Sequence, residues 1–115
     1  MKFNIPVTDD NMYFRYLSAI NGMLNLSNKE TLVLSEFLKY HMEYKDAEVA
    51  ITPVTRKRVQ EKFDMSPYNV NNVVKNLTKK KALIKSEKSL VINPNVIPKT
   101  FDGQIFVTFN FVNIK

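Results

Sequence analysis

The sequence predicts an α+β fold, and three observations carry that expectation. Apolar residues recur at helical spacing through four segments between residues 9 and 80. Two short β-prone runs, at residues 82–86 and 90–93, flank a charged turn. A third β-prone run, rich in aromatics, occupies residues 104–114.

Asp9 or Asp10 is positioned to cap the first helix, which runs to about Leu24 with Tyr13, Tyr16, Leu17, Ile20 and Leu24 on one face. Phe14 lies off that stripe. This helix is expected to pack on the core or on a second subunit. Ser27 and Glu30 have the spacing of a capping box and open a long helix reaching about Lys45. On it His41, the single histidine, falls in line with Leu34, Phe37 and Leu38, which marks it as a packing residue rather than a general base. Val49-Ala50-Ile51 is a candidate short strand.

Thr52-Pro53 places a capping hydroxyl before a proline at the first helical position, where its missing N–H is harmless. Val54, Val59 and Phe63 are expected on the apolar side of that helix, and Asp64-Met65 ends it. Ser66-Pro67 repeats the same start signal for a helix over residues 67–80, with Val70, Val73, Val74 and Leu77 at i, i+3, i+4 and i+7.

At about 100° per residue these four form one narrow stripe, and Tyr68, Asn72, Lys75 and Lys79 lie opposite it. Asn69, Asn71 and Asn76 occupy the shoulders. Amides and ammonium groups on one outward face suit nucleic acid, because Asn can bond adenine bidentately and Lys serves guanine or phosphate. A merely solvated surface helix is the competing reading. Asn is a poor helix former, however, and a helix needing only solubility is better built from Glu, Lys and Ala.

After Lys79-Lys80-Lys81, residues 82–86 read as a strand, Glu87-Lys88-Ser89 as a turn and residues 90–93 as the return strand. Pro94, Pro98, Asp102 and Gly103 mark a connector. Residues 104–114 read as a long strand whose expected partner is residues 2–7, tying the chain ends into one sheet.

The order helix, short strand, helix, helix, strand, wing, strand resembles the winged helix-turn-helix family over residues 27–93. Val59, Phe63, Met65, Ser66, Val70, Val74, Leu77, Leu83 and Ile84 carry the likeness. Family members often have glycine just before the wing strand, where this chain has Lys80 or Lys81. The resemblance implies a winged helix-turn-helix with an extra N-terminal helix and a C-terminal β-strand. One domain over residues 1–115 is expected, with segments 1–26 and 99–115 packing together or forming an oligomer interface. It also implies that residues 67–80 enter the major groove and that the tip at Glu87-Lys88-Ser89 approaches the adjacent backbone or minor groove. The run Leu90-Val91-Ile92-Asn93-Pro94-Asn95 further resembles replication proteins of small plasmids, whose winged domain binds origin repeats.

Charge is distributed unevenly. Residues 1–50 hold five Lys and Arg against seven Asp and Glu, net −2, whereas residues 51–115 hold twelve against four, net +8. Arg56, Lys57, Arg58 and Lys62 fall on the helix that begins at Pro53, Lys75 and Lys79 to Lys81 on or just after the next helix, and Lys85 and Lys88 on the wing. Such a patch supplies counterion-release affinity for a polyanion. It also suits an acidic protein or an anionic membrane.

The expected DNA contacts are therefore Arg56, Lys57, Ser66, Tyr68, Asn69, Asn71 and Asn72, with Lys75, Asn76, Lys79, Lys80, Lys85 and Lys88. Double-stranded DNA and a second copy of the chain are the expected partners, in a transcriptional regulator or replication-associated factor. A winged module serving as a structural or accessory component of a phage particle or polymerase complex is the alternative. The chain has no cysteine, so disulfides and thiolate metal sites are excluded. No phosphate loop, nucleophile elbow or ligand-spaced His and acidic cluster occurs, so neither an enzyme nor a cofactor, metal or small-molecule ligand is expected. With no signal peptide or apolar span in view, a cytoplasmic protein is expected. Fourteen of the seventeen basic residues are Lys and Asn is abundant, a bias that points to a low-GC bacterial, phage or mobile-element genome.

Overall fold

Short polar side chains start the three longest helices among the described residues. The structure, a computed structural model, describes residues 2–44, 51–87 and 89–114. Among them are five helices: α1 (Met12–Ala19), α2 (Asn21–Leu24), α3 (Asn28–Glu43), α4 (Pro53–Phe63) and α5 (Pro67–Lys79). Two separate antiparallel hairpins follow, β1 (Leu83–Ser86) with β2 (Ser89–Ile92), and β3 (Lys99–Phe101) with β4 (Gln104–Phe106). The α+β class is as the sequence predicts. No helix among the described residues is long and apolar enough to cross a membrane.

The first helix differs from its expected form. Thr8 and Asn11 bond reciprocally, Thr8 N–H to Asn11 Oδ1 at 2.8 Å and Asn11 N–H to Thr8 Oγ1 at 3.3 Å. That brace closes a turn over Asp9 and Asp10, so α1 starts at Met12 and neither aspartate caps it. It ends at Ala19 with Ile20 as its cap, and the separate turn α2 continues to Leu24, over which the Asn21 amide bonds both the N–H and the carbonyl of Leu26. Tyr16, Leu17 and Ile20 are nevertheless buried as the stripe requires, and α1 packs on α3.

The capping box of Ser27 and Glu30 is present at the start of α3. Val33, Leu34, Phe37 and Leu38 on that helix are fully buried, and His41 is half-buried in its last turn. Thr52 and Thr55 form a second box at α4, each hydroxyl accepting from the other's N–H. Thr55 and Val59 then share the inward face. Val54, about 100° round the helix from Thr55, is left 64% exposed rather than on the apolar side.

Helix α5 buries Val70, Val73, Val74 and Leu77, the stripe read from spacing. Its exit is a Schellman turn: Ala82 N–H bonds Leu77 O and Lys81 N–H bonds Thr78 O, with Lys81 at φ 63°. The left-handed residue of such a turn, which most often is glycine, is lysine here. Asn93 braces the turn, donating from Nδ2 to Lys81 O at 2.8 Å while its N–H bonds Ala82 O.

In the first hairpin Ser86 pairs with Ser89, so Ser89 belongs to the strand and not to the turn. Leu83 and Ile92, opposite each other in register, are buried and seat the hairpin beside α5. The expected short strand at Val49-Ala50-Ile51 lies outside the described residues except for Ile51, which is buried and in no strand.

The long C-terminal strand and its pairing with residues 2–7 are corrected. Only Gln104–Phe106 is strand, paired with Lys99–Phe101 across Asp102-Gly103, both at positive φ. Asp-Gly is a strong two-residue hairpin signal, and the local turn captures the strand before a distant partner does. Residues 2–7 and 107–114 are in neither sheet and are exposed.

A candidate nucleic-acid interface

Asp64, Met65 and Ser66 join α4 to α5. Asp64 is left-handed at φ 51°, Met65 N–H closes back on Gln60 O, and Ser66 Oγ accepts from Asn69 N–H at 3.1 Å. Ser66 therefore acts as the cap of α5. The connection is short enough to hold the outward faces of the two helices side by side.

The residues expected opposite the buried stripe of α5 are where spacing puts them. Tyr68 is 73% exposed, and Asn69, Asn72, Lys75, Asn76 and Lys79 are exposed along the same helix. None of these six side chains makes a hydrogen bond or ion pair among the described residues. Lys57 on α4 and Lys85 on β1 are exposed as well. Lys88 lies outside the described residues.

The basic side chains do not all join that face. Lys80 Nζ lies 2.6 Å from Glu30 Oε1, which also accepts from Ser27 N–H at 2.8 Å. Burial raises the Glu30 pKa, but the hydrogen bonds from Lys80 and Ser27 and the Lys80 charge outweigh it and hold the carboxyl below its usual range. Lys80, exposed but paired, is therefore tied to α3. On α4, Arg58 and Lys62 reach Glu36 at 3.3 and 2.9 Å, and the Arg58 guanidinium lies over the Tyr40 ring. These two cations also turn toward α3.

Arg56 takes a different partner. Its Nη1 donates to Asn71 Oδ1 at 2.8 Å, linking α4 to α5 at the surface. The candidate face thus divides into unbonded side chains along the crest and far shoulder of α5 and one bonded pair on the flank toward α4.

Sequence reasoning missed Glu30 and Glu36 as inward partners. Their signal was present: each sits at helical spacing among buried apolar residues of α3, where a carboxylate requires a partner. It also left Lys81 out of the expected contacts, although it is exposed beside the end of α5. No group of His, Asp and Glu among the described residues is arranged to hold a metal ion. Compared with protein-family models, with curated proteins and with solved structures, the chain matches none.

Proposed function

We propose that the chain binds double-stranded DNA sequence-specifically through a winged helix-turn-helix. In this reading α4 and α5 are the two helices of the motif, α5 lies in the major groove, and the β1–β2 hairpin is the wing beside the phosphate backbone. One observation carries the proposal. Tyr68, Asn69, Asn72, Lys75, Asn76 and Lys79 form an outward strip with no partner among the described residues, while the opposite strip of α5 is fully packed. The strip offers both donors and acceptors, which base edges require, together with cations for phosphates. A regulator or replication-associated factor of a phage or mobile element is the role this reading supports.

Binding is proposed to occur as a homodimer on paired half-sites, since one small module buries little DNA surface. The chain ends support this, with Phe3, Phe101, Phe106, Phe109 and Phe111 all exposed. The same ends favour a second reading, a structural or accessory module in which another protein covers them.

The experiment is duplex binding by fluorescence anisotropy with AT-rich DNA at two salt concentrations. Neutralising about six phosphates lowers affinity on the order of 10³-fold between about 50 and 200 mM salt. A flat salt response overturns the DNA reading and leaves the protein-module reading in place.

A further inference from the structure

On the reading just given, we infer that Arg56 and Asn71 form a single phosphate-holding unit, and that Asn71 does not read bases as its neighbours do.

Asn71 carries one amide oxygen and one amide nitrogen. Arginine has donors only, so the atom facing Arg56 Nη1 at 2.8 Å must be the oxygen. That assignment fixes the plane of the Asn71 amide. Bidentate recognition of adenine needs oxygen and nitrogen presented together, the oxygen accepting from N6 and the nitrogen donating to N7. With its oxygen accepting from the α4 side chain, Asn71 is not set to present oxygen and nitrogen together to adenine, and its Nδ2 makes no bond among the described residues.

The rest of the pair has the same character. Arg56 uses one N–H on Asn71 and retains four others, with a full positive charge and no acidic partner among the described residues. The unit is therefore a cluster of donors with one positive charge. A base edge such as adenine offers a donor and an acceptor, whereas a phosphate oxygen only accepts. Donor clusters of this kind fit phosphate and, among base edges, only the paired acceptors of guanine, so position decides between the two.

Position supports the chemistry. Asn71 lies about 100° round α5 from buried Val70, toward α4, whereas Asn72 lies about 200° from it on the crest. A helix in a groove presents its crest to the bases and its flanks to the walls, which are phosphate. Asn69, Asn72 and Asn76 make no side-chain bond among the described residues and keep both amide atoms available.

The test compares wild type with Arg56→Ala, Asn71→Ala, Asn71→Asp, the Arg56→Ala/Asn71→Ala double variant and Asn72→Ala. Each is titrated with a preferred duplex and its single-base-pair variants over a salt series, with folding checked by thermal melting. Arg56→Ala is expected to reduce the salt slope by about 0.9 and affinity by about tenfold. Asn71→Ala is expected to weaken every duplex by the same factor, and the double variant to bind within about twofold of Arg56→Ala because the two residues act together.

Asn71→Asp distinguishes holding phosphate from merely bracing the helices. It keeps an acceptor for Arg56 but replaces the outward donor with negative charge, so affinity is expected to fall below that of Asn71→Ala while the melting temperature is kept. If Asn71→Asp binds like wild type, the pair is only a brace and the inference fails. It fails equally if Asn71→Ala or Arg56→Ala loses discrimination at one base pair, as Asn72→Ala is expected to do, or if the two single effects multiply. In those cases wild-type DNA binding stands; a wild type with no salt-dependent binding removes the DNA reading itself, and this inference with it.

Discussion

The ammonium of Lys80 sits 2.6 Å from the Glu30 carboxylate, joining the C-terminal end of α5 to the N-terminal cap of α3. One oxygen thereby closes a helix cap and anchors a second helix. The charge also lies at the C-terminal end of α5, where the helix dipole favours a cation.

Acid is expected to weaken this junction. The folded pKa of Glu30 lies below its ordinary value of 4.5. Its contribution is therefore complete above the unfolded value and lost as pH falls through the folded one. Glu30→Gln should cost about 1 to 2 kcal/mol at neutral pH. Urea unfolding of both proteins at pH 7 and pH 3 should show the difference shrinking in acid. An equal difference at both pH values would remove the ionised carboxylate from this account.

Tyr16 fastens α1 to the segment after the first hairpin, its buried hydroxyl donating to the Val96 carbonyl at 2.6 Å. Removing the hydroxyl leaves that carbonyl unsatisfied in the core. Tyr16→Phe is expected to destabilise the protein by about 1 to 2 kcal/mol, with little change in the urea m-value. A midpoint equal to that of wild type would show that water replaces the bond.

Lys81 holds a left-handed conformation that glycine adopts without steric cost. Lys81→Gly is expected to raise stability by about 1 kcal/mol, and Lys81→Val to lower it, because a β-branched side chain tolerates positive φ worst. Thermal melting of the two variants should bracket wild type. Identical melting temperatures would mean that the turn readjusts.

The exposed ends are expected to mediate self-association. Sedimentation at micromolar concentration should give a dimer for wild type and a monomer for the Phe109→Ser/Phe111→Ser double variant, with the two proteins equally folded. A monomeric wild type would direct these phenylalanines to a different protein and favour the module reading.

Helix positions were legible in the sequence because their signals are local. Ser27 with Glu30, Thr52 with Pro53 and Ser66 with Pro67 each place a helix start within a few residues, and the Val70, Val73, Val74 and Leu77 stripe decides which face of α5 turns inward. The crest of Tyr68, Asn72, Lys75 and Lys79 then follows by geometry alone. Tertiary structure decided which cations are paired. Helical spacing sets Lys57 opposite buried Val59 and Arg58 and Lys62 beside it, but that these two reach Glu36 depends on a carboxylate that lies on another helix. The same holds for Lys80 and Glu30, and for the Asn71 amide, whose orientation Arg56 sets from across the turn. At the chain end the balance reversed. A local Asp102-Gly103 turn prevailed over the expected long-range pairing with residues 2–7, since closing a short loop costs less entropy than joining the two termini.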